Sequence, residues 1–376
     1  MDLFDYKIEA SEGKARVGTY NTAHGSFTTP MFMPVGTNAT VKGISPDILV
    51  EIGSQVVLAN TYHLSLRPGA DLIEKAGGLH EFCQYHGPML TDSGGYQVFS
   101  LADTLKLDSE GLTFKSIYDG EVIRWTPESN MEIQEKIGAD IIMQLDQCTH
   151  YPAEKEFVLK AVELSANWAK RCLDSHSKKD QALFAIVQGG VFEDLRMKSI
   201  DELLKIEQAG KSFDGFGIGG YSVGEPHELM FESLGKVCDN LPENRPRYLM
   251  GVGNPKTLLK AVAVGVDMFD CVLPTRTGRM GTALTSHGRM NLRNSQYFDD
   301  FKPIDENCDC PVCKKYSRAY LRHLFNQKEM LGGELLSTHN LYYLINLMTL
   351  AKEAIKAGVY SEFLDDWLKS PAANDF

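Results

Sequence analysis

Three aspartates and one glutamine stand at the ends of short apolar runs. Asp92 closes PMLTD, Asp146 closes ADIIMQLD, Asp270 lies in VDMFD, and Gln188 follows ALFAIV. Any one acid after a strand is commonly a helix cap; three with a carboxamide suggest a shared rim. Carboxylates gathered in a partly dry cup repel one another, so their proton affinities separate. One can stay ionised as a nucleophile while another holds a proton. That pair suits glycosyl transfer with retention: attack at an anomeric carbon, with acid help to the leaving group. Gln188 and Asp146 suit another task. An amide offers a donor and an acceptor, and a carboxylate accepts two N–H bonds, which matches a guanine-like edge. Tyr96 and Met250 could clamp the faces of such a ring, although both residue types also fill ordinary cores. Gly219 and Gly220 would let backbone approach a ligand closely. Metal-dependent hydrolysis is the rival reading of an acidic rim, but no His-x-His pair accompanies the acids and His63 stands alone.

A second constellation is Cys308-x-Cys310-x-x-Cys313, three soft ligands within six residues. A closed tetrahedral zinc needs a fourth, for which His339 is the first candidate and His323 the second. Four protein ligands leave no open position, so one Zn2+ per subunit would be structural. The other five cysteines (Cys83, Cys148, Cys172, Cys238, Cys271) are scattered and do not form a disulfide framework.

The elements that would position these groups recur along the chain. Near-continuous apolar runs start at Thr29, Gln55, Pro88, Ala139, Ala182, Gly215, Arg247 and Val266, as strands buried on both faces require. Helix grammar separates them: Ser45-Pro46 to Gly53, Thr126-Pro127 to Gly138, and Asn254-Pro255 to Gly265. Eight strands alternating with helices predict an α/β fold, a (β/α)8 TIM barrel forming a single catalytic domain over residues 1–376. Such barrels work at the C-terminal ends of their strands, where the four polar residues stand. The first ~28 residues read as a β-hairpin lid over the barrel bottom. Leu112–Trp125 reads as a hairpin inserted after the third strand, turning at Asp119-Gly120. Residues 278–340 form a C-terminal zinc-binding insertion after the eighth strand.

The chain of 376 residues is 43 % apolar and 23 % charged, as in ordinary globular proteins. No apolar run approaches the ~20 residues of a membrane helix, and the N-terminus lacks a signal-peptide apolar segment, so a cytoplasmic protein with no membrane contact is expected. The formal net charge of −12 argues against generic nucleic-acid binding. Its distribution changes that. Pro274–Lys328 holds ten Lys+Arg and five acids, a local +5, which leaves −17 on the remainder. One basic rim beside Asp270 would favour specific docking of an RNA.

These residues sit in motifs that resemble bacterial tRNA-guanine transglycosylases, also called queuine tRNA-ribosyltransferases. The motifs are NTYHL at Asn60, MLTDSGGYQVFSL at Met89, QGG at Gln188, YLMGVG at Tyr248, MFDCVLPTR at Met268, the CxCxxC cluster and THN at Thr338. They run in family order along essentially the whole chain. The resemblance implies that Asp270 is the nucleophile displacing the wobble guanine of GUN-anticodon tRNAs, and that Asp92 is the general acid/base. It implies that Asp146, Gln188, Ser93 and the Gly220 backbone read the base edge, and that the Tyr221 carbonyl meets an aminomethyl group. Tyr96 and Met250 would sandwich the ring. Arg276 and Arg279 would touch the anticodon loop, and Cys308, Cys310, Cys313 and His339 would hold zinc. The incoming base would be 7-aminomethyl-7-deazaguanine, in queuosine biosynthesis, and the enzyme a homodimer. The chain departs from the family pattern at Gln147 and Tyr221, beside the expected base pocket, and looks longer around Glu207–Ser212. Archaeal relatives carry further C-terminal RNA-binding domains, and none is expected after the last helix here.

Overall fold

The computed structural model describes residues 2–101, 105–207 and 211–375. The expected lengthening near Glu207–Ser212 therefore lies partly, at 208–210, outside the described residues. Eight parallel strands form one sheet: Met31–Met33, Val57–Asn60, Met89–Asp92, Ile141–Met143, Ala182–Val187, Gly215–Ile218, Arg247–Leu249 and Met268–Asp270, the first to eighth barrel strands. The eighth pairs with the first, Asp270 opposite Met33. A single parallel bridge between Val35 and Leu58 links the first to the second and closes the ring. Every strand lies inside one of the apolar runs, so the predicted barrel is borne out.

The runs look uniformly apolar because each face meets a different core. Met31, Met33, Leu58, Leu90, Ile141, Met143, Phe184, Ile186, Tyr248 and Met268 point into the barrel. Their neighbours Phe32, Val57, Ala59, Ile142, Leu183, Ala185, Leu249 and Phe269 pack against the surrounding helices. The sixth strand, GFGI, gives its inward positions to glycine. A Cβ on Gly215 would lie 2.4 Å from the Phe184 ring, and one on Gly217 would lie 2.7 Å from Met143. Large residues on neighbouring strands occupy the space that the glycines leave.

The helix starts form as predicted. Ser45, Thr126 and Asn254 each accept a bond from an amide three residues on, with proline in the first turn. After the third strand, Gly111–Lys115 pairs with Val122–Trp125 as expected, and Lys106–Asp108 adds an edge strand.

The N-terminal lid is a three-stranded antiparallel sheet, not a two-stranded hairpin: Tyr6–Glu12, Ala15–Thr22 and Gly25–Thr29. The chain reverses a second time at Thr22–Gly25, where Gly25 takes φ +120° and Thr22 Oγ1 donates to its carbonyl at 2.8 Å. The lid covers the N-terminal strand ends. Tyr6, Tyr20 and Phe27 plug the barrel from below. Two buried carboxylates fasten it. Asp267 accepts from Tyr6 Oη (2.9 Å), from Arg16 Nε (2.9 Å) and Nη2 (2.6 Å), and from the Arg247 amide (2.7 Å). Asp140 takes bonds from the His24 ring, the His80 ring and the Met89 amide at 2.8–2.9 Å.

The insertion after the eighth strand folds around its own small core, which includes Ala283, Leu292, Ile304, Leu321 and Leu336. It contains the hairpin Thr282–Thr285/Gly288–Asn291, the helix Arg318–Asn326 and the start of the long helix Met330–Ala357. Positions 278 and 340 fall inside the helices Leu273–Arg279 and Met330–Ala357, which join the insertion to the barrel. Among the described residues, no helix is long and apolar enough to cross a membrane.

Candidate active site and metal centre

The inward alternation that fills the barrel continues one step beyond it. Two residues after Leu58, Leu90, Ile186, Tyr248 and Met268 come Asn60, Asp92, Gln188, Met250 and Asp270. These five, with Ser93, Tyr96 and Asp146, line one cavity of about 680 Å³ at the C-terminal strand ends. Asp146 is out of phase by one residue: the fourth strand ends at Met143, and Leu145 turns outward into the helix-facing core.

The three acids live in different surroundings. Asp270 uses one oxygen, Oδ1, for both its bonds, from Tyr248 Oη (2.6 Å) and the Gly251 amide (2.8 Å). Burial raises its pKa, and those two donors oppose the rise. Asp92 is held at both oxygens, by Asn60 Nδ2 (2.6 Å) and the Thr61 amide (3.2 Å). Burial nevertheless pushes it up to about 7, with the Asp270 charge adding to the rise. Asp146 accepts from Gln188 Nε2 (2.6 Å) and Ser93 Oγ (3.2 Å), and burial pushes it up to about 6.

The Asp146 bond fixes the Gln188 amide. Its nitrogen faces the carboxylate, and its buried Oε1 has no partner in the protein. A Cβ on Gly219 would lie 2.8 Å from Gln188 Nε2 and one on Gly220 2.6 Å from Oε1, so a side chain at either position would displace the Gln188 amide. Tyr96 is half exposed at the mouth, and Met250 is partly buried on the filled barrel core. Tyr221 lines the cavity, while its ring is buried and its hydroxyl meets Ser233 Oγ at 2.5 Å. Gln147 is buried, its backbone N–H donates to Ser165 Oγ (2.9 Å), and it is not among the cavity-lining residues.

Cys308, Cys310, Cys313 and His339 come together, with all four ligand atoms within 4.8 Å of one another. Sγ to His339 Nδ1 distances are 3.8, 3.4 and 3.4 Å. Tetrahedral zinc with bonds of about 2.3 Å to sulfur and 2.0 Å to nitrogen sets such edges near 3.5 Å, so the residues fit that ion. His339 Nε2 faces the Leu284 carbonyl at 2.9 Å, which leaves Nδ1 toward the cysteines. His323 is not part of the cluster. The other group compact enough for a metal among the described residues, His24, His80 and Asp140, is at the barrel floor, and neither group lies at the acidic rim.

Arg276 is exposed and lines the cavity with Arg289; Arg279 is exposed one turn further along the same helix. Other basic residues of the segment are engaged locally: Arg318 with Asp300, Lys302 with Glu306, and Lys314 with Asp309. The positive rim is narrower than the charge count implied. Asn60, which the sequence places on the rim at the end of the second strand, holds Asp92; Tyr248 and Arg196 carry contacts at the site that the sequence did not assign. Tyr248 had a readable clue, since a hydroxyl inside an apolar barrel layer must find a partner.

A sequence profile of the family described as "Queuine tRNA-ribosyltransferase" matches residues 11–373. Proteins named "Queuine tRNA-ribosyltransferase" align over nearly full length. That of Herpetosiphon aurantiacus is 52 % identical over 98 % of this chain and 93 % of its own. That of Desulforamulus reducens is 51 % identical over 96 % and 97 %, and that of Deinococcus radiodurans 50 % over 97 % and 91 %.

Proposed function

Because the chain belongs to the queuine tRNA-ribosyltransferase family, we propose that it exchanges the wobble guanine of GUN-anticodon tRNAs for 7-aminomethyl-7-deazaguanine by double displacement. The observation that carries this reading is the pairing of Asp270 and Asp92 in one cavity. Asp270 keeps Oδ2 clear of the donors that hold Oδ1 and attacks C1′ of the ribose. Guanine leaves with its bonding electrons, and an ester joins ribose to Asp270. Asp92, with a pKa near neutrality, gives a proton to the departing base and later takes one from the incoming base. That base then displaces the carboxylate from C1′, so configuration is retained overall.

Gln188 Oε1 accepts an N–H from the base edge. Asp146, Ser93 and the Gly220 backbone complete the edge contacts, and the Tyr221 carbonyl meets the aminomethyl group. Tyr96 and Met250 cover the ring faces, and Arg276 and Arg279 contact anticodon-loop phosphates. Zinc at the Cys/His cluster, one per subunit, supplies a structural staple for residues 278–340 within a single catalytic unit. The enzyme acts as a cytoplasmic homodimer.

Labelled guanine exchange into tRNA, with competition by deazaguanines, tests the reaction. Asp270→Ala is expected to abolish both exchange and the denaturant-resistant RNA–protein adduct; an active Asp270→Ala enzyme would overturn the nucleophile assignment.

A further inference from the structure

Arg196 lies in the first turn of the helix Glu193–Glu207, behind the base-reading groups, and is completely buried. Burying a guanidinium is costly unless its donors are satisfied. Among the described residues, no carboxylate lies within ion-pair distance of it. Its partners belong instead to the turns that end the fifth and sixth barrel strands. Nε donates to the Gly190 carbonyl at 2.7 Å and Nη1 to the Gly219 carbonyl at 3.0 Å. Its central carbon lies 3.3 Å from the centroid of the Tyr221 ring. Nη2 has no hydrogen-bond partner. Gly189, at φ +141°, admits this close approach, since a Cβ there would fall 2.7 Å from the Arg196 amide nitrogen.

We infer that Arg196, stacked on Tyr221, is a positioning residue that sets the spacing of the two base-reading turns and thereby the affinity for the incoming base. The inference rests on the base-exchange reading above. One turn follows Gln188 and the other carries Gly220 and Tyr221, so the clamp joins the two sides of the proposed edge contacts. The rigid guanidinium fork holds both carbonyls at once, which the single ammonium of lysine does not reproduce. The ring fixes the backbone of Tyr221 from behind, because it is held between the guanidinium and Ser233. A shift of this spacing by a fraction of an ångström misplaces every edge contact together. The Asp270 and Asp92 carboxylates touch neither turn's clamp, so chemistry on a bound base is largely spared.

Double-displacement kinetics report the base and the tRNA separately, which supplies the test. Arg196→Lys and Tyr221→Leu are each expected to raise KM for guanine about 10-fold, with kcat within about 3-fold and KM for tRNA within about 2-fold. The double variant should be no worse than the poorer single one, because both lose the same stack. Tyr221→Leu alone carries the test if Arg196→Lys does not fold. Unchanged KM for guanine, equal losses on both substrates, or fully multiplicative effects in the double variant overturn the inference while leaving the base-exchange reading intact. A wild-type chain that exchanges no guanine overturns both.

Discussion

Asp92 illustrates how one carboxyl group is made to serve a purpose that its free chemistry would not allow. Its bonds from Asn60 and Thr61 favour the ion, yet burial wins and holds its pKa at about 7. The stability consequence has a definite sign. A pKa raised in the folded state means that folding is unpenalised below the unfolded value near 4, and that stability is lost as pH rises through 7. Asp92→Asn is therefore expected to be inactive yet more stable than wild type by about 1–3 kcal/mol at pH 8. That advantage should vanish near pH 4, and thermal midpoints at the two pH values check it. The acids were legible because each closes an apolar run. Arg196 was not, because an arginine early in a helix reads as a surface residue; Gly189 leaves the room for it and the Gly190 carbonyl takes its Nε, neither of which the pattern ranks.

Elements divide between those specified locally and those specified by what they pack against. Ser45, Thr126 and Asn254 announce their helices through capping chemistry within four residues, and these starts were predicted correctly. The third lid strand was not, because Thr22-Ala23-His24-Gly25 carries no Asn-Gly or Pro-Gly signature and is fixed by the Asp140 bond from His24. The insertion is a third case, with a core of few residues and a Cys/His cluster at its centre. Chelation or Cys310→Ala should release about one equivalent of zinc and lower the unfolding temperature of residues 278–340 first. Limited proteolysis should cut there before the barrel. Loss of metal with an unchanged cleavage pattern would argue against the structural role. The lid fastener makes the complementary prediction. Asp267→Ala strands the buried Arg16 guanidinium and should cost about 3–5 kcal/mol in denaturant unfolding.

At the scale of the molecule, the acidic total and the basic rim act together. The remaining charge of −17 would repel RNA elsewhere, while the rim beside Asp270 presents Arg276 and Arg289, with Arg279 exposed one turn further along the helix. Arg276→Ala and Arg279→Ala should each weaken tRNA binding and flatten the log Kd against log salt slope by about one. Slopes equal to wild type would remove them from the phosphate contacts.

The plugged floor has a kinetic consequence. With Tyr6, Tyr20 and Phe27 filling the barrel below the site and Asp267 and Asp140 fastening the lid, nothing passes through from beneath. On the proposed double displacement, expelled guanine and its replacement would use the same doorway, one after the other, while the ribose stayed tethered to the doorframe. Traffic is thus single-file, and product guanine should inhibit by contending for the entrance with the incoming base, with released tRNA playing no part in that contest.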